Sequence, residues 1–465
     1  MKITILNGSP KGDLSVTLQY VEFLKKKFPQ NRYTTFNIAQ KIKRIETEPA
    51  EFKKIIAAVK ESDAVIWSFP LYYMLVHGSY KRFIELVFER KAGSVFKNRH
   101  AATISTSIKF FDNTAHDYMH AICDDLQMQY TGYFSASMND LKNSDTQKQL
   151  TLFAKKFFKA AASKERFSPS YSPINCKKQK YSPGKAKPVI NNSLYKIIVL
   201  SGGIKPKSNL DNMINFFCGQ FTDDIQIIDL AKEDIKNGCL GCCHCGYDNT
   251  CIMEGRDGYV DIYKTVIQTA DIIIVADEIH DRYLSSTWKT FLDRSFFNTH
   301  KPSLLNKQIG FLISGPFSQT GGTLQTTLQG WCEFQKAGNI GVVTDEQSNS
   351  KRTDNLISDF AKRAFWGLEQ RYITTDTFLR VGGFKVFRDD IYGSLRTVFN
   401  ADHIYYKKNG YYDFPQKKIG LRMLNTGLKL LLRIPALRKR VFTQEIIPGM
   451  VAPLKKIVNN TKADS

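Results

Sequence analysis

The sequence predicts an α/β chain: two doubly wound parallel sheets in tandem, followed by a mostly helical, basic extension. Three observations predict it. Short apolar runs alternate with segments of helical period over residues 1–162. The same alternation restarts at Tyr195. After residue 350 it stops. Alternating strands and helices imply a parallel sheet covered on both faces. At 465 residues and 42% hydrophobic, the chain is long enough for two or three proper cores.

Residues 2–7 read as a buried strand, Gly8-Ser9-Pro10-Lys11 as a turn, and a helix begins near Ser15 or Thr17. A strand, a Gly-containing turn and a helix N-terminus can hold an anion on free backbone N–H groups and Ser/Thr hydroxyls. Tyr33–Asn37 is a second strand and Ala64–Phe69 a third, ending at Pro70-Leu71-Tyr72-Tyr73. His100–Ser105 is a fourth, ending in Ser105-Thr106-Ser107. Helices are expected over about 51–60, 79–89, 114–126 and 146–162. Ligands of such sheets bind beyond the C-terminal strand ends, so loops 8–17, 70–79 and 105–113 should gather at one edge.

Residues 163–194 are Pro/Ser/Lys-rich and read as an exposed linker. Strands are then expected at 195–200, 225–230, 271–276 and 307–314. Gly8 aligns with Gly202 at an offset of 194, and Lys81-Arg82-Phe83-Ile84-Glu85 with Lys289-Thr290-Phe291-Leu292-Asp293 at 208. The second copy, 195–350, therefore gains about 14 residues between these points.

That interval contains Cys239-Leu-Gly-Cys242-Cys243-His-Cys245-Gly-Tyr-Asp-Asn-Thr-Cys251. Cys239, Cys242, Cys245 and Cys251 follow C-x2-C-x2-C-x5-C. Thiolates this close repel one another unless a cation neutralises them. The spacing suits a [4Fe–4S] cluster, with Zn²⁺ or redox-active or structural thiols as alternatives. Cys243 is spare, and His244 is either a further ligand or an exposed loop residue. The other cysteines (Cys123, Cys176, Cys218, Cys332) are scattered and read as buried or free thiols, the usage of a reducing, cytoplasmic compartment. The Met-Lys-Ile-Thr start is already a strand and does not read as a secretory leader. No stretch approaches a membrane span.

Residues 351–465 read as an extension, with a helix at about 355–370 and a basic, apolar segment at 420–440 carrying Leu421, Leu424, Leu428, Leu431 and Leu432 at helical spacing. That segment is either a helix packed on the second domain, a peripheral membrane contact or a dock for an acidic partner. The net charge of +22 asks for an anionic partner or serves solubility. No basic–aromatic nucleic-acid motif, Ser–His–Asp triad or paired-carboxylate site stands out, so nucleic acid is not an expected partner and no catalytic side chain is assigned.

With these motifs the chain resembles the NAD(P)H-dependent FMN reductase family, and most nearly its iron–sulfur flavoproteins of anaerobic microbes. Gly8, Ser9, Pro10 and Lys11, with Ser15 and Thr17, resemble the opening phosphate loop. Pro70, Leu71, Tyr72 and Tyr73, with the helix at Lys81–Ile84, resemble the second flavin loop. Ser105, Thr106 and Ser107 resemble the third, near the isoalloxazine. Cys239, Cys242, Cys245 and Cys251 match the compact cysteine motif. The resemblance covers about 1–160 and 195–345. It implies flavodoxin-like folds, FMN, a [4Fe–4S] cluster, and NAD(P)H or a ferredoxin as electron donor. The two copies depart from the family in opposite ways. The first has flavin loops and no cysteine loop. The second has cysteines, but Ser201-Gly-Gly-Ile-Lys-Pro opens it, Glu278–Tyr283 replaces the proline–tyrosine pair, and only Ser208, Asn209 and the 315–322 loop remain to serve a flavin. Single-copy relatives are expected to be dimers, so the resemblance implies a pseudo-dimer within one chain, open to further homodimerisation, that passes electrons to an acidic redox protein or a small acceptor. A flavin-only quinone or nitro reductase and a zinc-binding, non-catalytic module are the competing readings.

Overall fold

The computed structural model describes the chain except residues 176–178, 415–417, 446, 447, 450, 453, 456–458 and 460–465. Cys176 lies outside the described residues, as does the side chain of Leu421. In the first repeat the strands are β1 (Lys2–Asn7), β2 (Arg32–Asn37), β3 (Ala64–Pro70), β4 (His100–Ser107) and β5 (Gln129–Ser137). All pair in parallel in the order β2-β1-β3-β4-β5. The covering helices are α1 (Val16–Lys27), α2 (Ile42–Thr47), α3 (Pro49–Glu61), α4 (Gly78–Glu89), α5 (Asp112–Asp125) and α6 (Ser144–Ser163). Strand β3 is buried on both faces from Ala64 to Phe69, as a central parallel strand must be.

The second repeat copies this order as β7-β6-β8-β10-β11, from β6 (Ile197–Ser201), β7 (Gln226–Asp229), β8 (Ile272–His280), β10 (Gln308–Ser314) and β11 (Gly338–Thr344). Its helices are α7 (Asn209–Cys218), a short α8 (Tyr259–Ile262), α9 (Ser286–Arg294), α10 (Thr323–Phe334) and α11 (Ser350–Glu369). Register fixes the correspondence. Ile66 faces Ala102 in one sheet and Ile274 faces Gly310 in the other, 36 residues apart in both. Ile5 faces Ile66, but Val199 faces Ile274, so the 14 extra residues fall between β6 and β8. Both fifth strands and α10 were absent from the sequence expectation. Each fifth strand is interrupted by a glycine at positive φ, Gly132 or Gly341, where the ladder shifts register, and this breaks the apolar pattern.

The repeats pack through α4 and α9, with reciprocal bonds. Lys81 pairs with Glu85 and donates to the His280 carbonyl of the second repeat at 2.7 Å. Its counterpart Lys289 pairs with Asp293 and donates to the Tyr72 carbonyl of the first at 3.0 Å. The Gly78 N–H donates to Asp293 (2.7 Å), and the Ser286 N–H to Glu85 (2.7 Å). Residues at the 208 offset thus exchange equivalent bonds, the signature of a two-fold relation between the repeats. Lys81 and Lys289 are fully buried.

Two domain expectations need correction. Segment 163–194 is mostly exposed, as expected, but it is not free of the two repeats. Tyr181 and Ile190 are buried in the second core, and the Ser170 and Tyr171 N–H groups donate to Asp124. Tyr and Ile spaced among Pro and Ser show no period, so their burial had no sequence signature. Helix α11 packs on the second sheet as the counterpart of α6, so that repeat does not end at 350. The chain divides into two compact units, Met1–Tyr405 and Tyr406–Ser465. The first also holds β9 (Tyr283–Leu284), a hairpin partner of β8, and α12 (Phe378–Tyr392). A helix at Asn400–Lys408 (α13) follows. The second unit contains α14 (Ile419–Leu431) and α15 (Pro435–Arg440). No helix among the described residues is long and apolar enough to cross a membrane.

The buried exchange makes two expectations. Lys289→Met should cost about 3–5 kcal/mol in chemical unfolding by stranding Asp293, and adding Asp293→Leu should recover much of it. Burial acts to raise the Glu85 pKa, but Lys81 and the Ser286 hydroxyl hold it down to about 2, from an ordinary 4.5. Its folded pKa is depressed. Its contribution is therefore complete above about pH 4.5 and disappears as pH falls through about 2. Glu85→Gln should flatten the acid limb of stability against pH in that window.

Candidate functional site

Asn7, the last residue of β1, organises the first loop. Its side chain donates to the Gly12 carbonyl and accepts from the Ser9 N–H. Gly8 must be glycine, because a β-carbon would fall 2.6 Å from the Tyr80 ring. The Ser9 hydroxyl accepts from the Lys11 N–H. Ser15 caps α1 by accepting from Leu18 N–H. The N–H groups of Val16 and Thr17, in the first turn, have no helical acceptor. Thr17 and Thr106 hydroxyls meet at 2.6 Å, which leaves one O–H of the pair free to donate. Ser68 Oγ, in the β3 residue whose carbonyl receives the Gly8 N–H, is buried without a partner. Ser9, Ser15 and Thr17 are buried, while Lys11 is exposed. The donors here are unspent and converge, which fits an anionic group such as phosphate.

The second loop turns tightly at Tyr73 and Met74, both at positive φ, with paired bonds between Tyr72 and Leu75. Leu71 N–H donates to the Thr106 carbonyl, tying this loop to the third. The two tyrosines do not pack only locally. Tyr73 reaches Ser295 of the second repeat, and the Tyr72 ring meets the edge of His77 at 4.8 Å. Burial, with Cys239 and Asp293 nearby, pushes the Tyr72 phenol well up, so it stays neutral.

The third loop divides. Thr106 faces α1 and the first loop. Ser105 points to the other face, where His116 bonds to it at 2.8 Å and to Thr103 at 2.9 Å. Burial lowers His116 to about 4, so it is a neutral internal partner. Ser105 is thus committed to the sheet interior rather than to the loop edge. Ser107 Oγ accepts from the Lys109 N–H.

The equivalent edge of the second repeat is filled by its own chain. Asp345, just past β11, accepts from Asn209 Nδ2 (2.7 Å), Ser314 Oγ (2.7 Å) and Gly315 N–H (2.8 Å). Asn209 is also bound to Gln179 and Tyr181. Ser208 serves as the cap of α7, and Gly321 lies against Tyr171. Asn209, Ser314 and Gly315 are therefore spent on Asp345, and a carboxylate held there does not fit a second flavin, whereas Ser208 caps its helix just as Ser15 does.

The cysteine loop, between β7 and α8, makes one concavity lined by Cys239, Cys242, Cys243, Cys245 and Cys251, with Arg294 and Phe296. Arg294 is held by two bonds to Asp257 and reaches Cys251 Sγ at 4.0 Å. Burial pushes the Cys239 thiol up to about 12, and burial plus neighbouring thiols raise Cys245. The extra cysteine, Cys243, also lines the concavity, whereas His244 is exposed outside it. Among the described residues, no three His, Cys, Asp or Glu groups are close enough to share a metal ion. The metal-holding group expected at Cys239, Cys242, Cys245 and Cys251, whether for a [4Fe–4S] cluster or for zinc, is not observed there.

This loop is seated on the first repeat. A β-carbon at Gly241 would fall 2.2 Å from Tyr72 Oη and 2.9 Å from Lys11 Cε, so a larger residue there would displace these side-chain ends, and the φ of +64° favours glycine as well. His77 Nε2 bonds to the Cys239 carbonyl at 2.9 Å, and Lys43 Nζ to the Lys236 carbonyl at 2.5 Å. His77 and Asp345 escaped the sequence reading. His77 begins α4 five residues past Tyr72, but nothing local marks its distant partner.

Gly241→Val should lift the loop from Tyr72 and Lys11. In chelator-treated wild-type protein, exposed Cys242 and Cys243 should alkylate before half-buried Cys239 and buried Cys245, as read by mass spectrometry at pH 8. In the variant, Cys239 should join the fast class.

Comparison with known proteins agrees with the duplication. A family profile described as NADPH-dependent FMN reductase matches residues 1–140 and again 195–345. The chain is 24% identical over 196 residues to an iron-sulfur flavoprotein of Archaeoglobus fulgidus, covering 40% of this chain and 85% of that protein. Among solved structures, an NADH:FMN oxidoreductase in its apo form shares 16% identity, covering 35% of this chain and 89% of that one, with a TM-score of 0.29. FerB, a flavoenzyme NAD(P)H:(acceptor) oxidoreductase from Paracoccus denitrificans, shares 17%, covering 34% and 97%, with a TM-score of 0.29.

Proposed function

Since the chain belongs to the NADPH-dependent FMN reductase family, we propose that it is a flavin-dependent oxidoreductase with one FMN in its first repeat and a [4Fe–4S] cluster on the cysteines of its second. The observation that carries this reading is the seating of Gly241, between Cys239 and Cys242, on Tyr72 and Lys11. One repeat's cysteine loop thus closes on the other repeat's ligand loops. The similarity to an iron-sulfur flavoprotein supports the same pairing.

Bound FMN would supply hydride acceptance and a cluster single-electron transfer. The chain's own residues bind and orient. Ser9, Ser15 and the N–H groups of Val16 and Thr17 receive the phosphate, with the Lys11 charge beside them. The Thr17–Thr106 pair offers a donor at the inner end of the slot, and Ser107 a hydroxyl at its rim. Tyr72 and His77 exclude water between slot and cysteine loop. Cys239, Cys242, Cys245 and Cys251 supply thiolates, and Arg294 offsets part of their charge. The electron donor is NAD(P)H or a reduced ferredoxin; the net charge of +22 favours encounter with an acidic protein of the ferredoxin kind. A small-molecule acceptor completes the reaction.

A flavin-only reductase is the second reading, and the lack of a three-donor metal group among the described residues favours it. Anaerobic purification with FMN, iron and sulfide analysis separates the two. The cluster reading expects about one FMN and about four each of iron and sulfide per chain; iron-free yellow protein overturns it. Cys242→Ser should lose iron, keep FMN and lose electron transfer to or from ferredoxin. If every activity survives, the flavin-only reading stands. Gly8→Val, which forces the first loop off Tyr80, should weaken FMN binding by about ten-fold or more while iron is retained. Two FMN per chain would overturn the assignment of a self-filled second repeat.

A further inference from the structure

The second compact unit carries a surface that the flavin chemistry does not use. Between Lys418 and Arg440 there are seven Lys or Arg residues and no Asp or Glu. Helix α14 spans Ile419–Leu431. At 100° per residue, Ile419, Met423, Leu430, Leu431, Leu424 and Leu428 fall on one broad arc, and Arg422, Asn425, Thr426 and Lys429 on the other. The apolar arc is exposed: Met423 is 71% accessible, Leu424 58% and Leu428 46%. Two residues beyond its end, Arg433 and Ile434 repeat the pairing of a charge with an exposed apolar side chain. Arg438, Lys439 and Arg440 then close α15, with Arg440 paired to Glu445.

We infer that residues 419–440 bind the surface of a membrane rich in anionic lipid, with α14 lying in the plane of the headgroups. The chemistry selects this occupant. A helix with a wide apolar face and a cationic polar face is satisfied on both sides only at a boundary between acyl chains and anionic headgroups. Nucleic acid would meet the charge and leave the leucines in water. An acidic protein surface would do the same unless it also offered an apolar groove. The helix is too short to span a bilayer.

The test uses the full chain and sedimentation with vesicles of phosphatidylcholine alone or mixed with phosphatidylserine. The chain should pellet with the mixed vesicles and stay largely in solution with the neutral ones. Leu424→Glu with Leu428→Glu should abolish pelleting while cofactor content and reductase activity remain, since both side chains are exposed. Arg433→Gln should weaken the partition by about five-fold, the share of one cation near an anionic surface. Absence of pelleting overturns the inference. So does pelleting unaffected by the leucine changes, which would mark simple polyanion adsorption. A stable dimer dissolved by the leucine changes, without vesicle binding, would assign the face to a second copy instead.

Discussion

Everything in the larger unit depends on the reciprocal exchange between two buried ion pairs. Lys81 and Lys289 each satisfy a carboxylate four residues on, then use a remaining donor on the other repeat's loop carbonyl. The carboxylates in turn accept N–H groups from the opposite helix start. No member can be removed without leaving a charge in an interior that cannot solvate it. The exchange thereby sets the distance and rotation between the sheets. It also sets where Tyr72 ends, because the Tyr72 carbonyl is one of its acceptors.

From this frame the repeats have diverged in complementary directions. At one sheet edge, Asn7 and Gly8 hold a loop whose donors remain available. At the equivalent edge, Asp345 answers the donors of Asn209, Ser314 and Gly315, and the connecting segment adds Tyr181. A carboxylate in a place shaped for an anion satisfies the site from within the chain. The second repeat carries the 14 additional residues that form the cysteine loop. The two-fold relation brings that loop to the first repeat's edge.

Much of the fold was legible. The duplication, the alternation of strands and helices and the start of α1 near Ser15 rest on local patterns: apolar runs, turn residues and a fixed offset. Both fifth strands escaped because Gly132 and Gly341 interrupt them. The attachment of segment 163–194 escaped because two buried side chains among Pro and Ser carry no period. Of the candidate site, Gly8, Ser15 and Thr17 stood where the motif placed them. Ser105 did not, because strand alternation turns it toward His116, and the partner lies on another element.

Residue types and spacings alone determined that this chain is two related parallel-sheet repeats, that one opens on a glycine turn leading into a helix N-terminus and that the other bears clustered thiols. These follow from short-range chemistry: a strand ends, a glycine turns, a helix exposes its first N–H groups. Only the tertiary structure decided that the cysteine loop seats on the other repeat's loops, that Asp345 fills the second edge, and that Gly241 lies against Tyr72 and Lys11. Each of those depends on atoms more than 100 residues apart meeting within a few ångströms. Such contacts are set by the packing of α4 on α9, which no local pattern encodes.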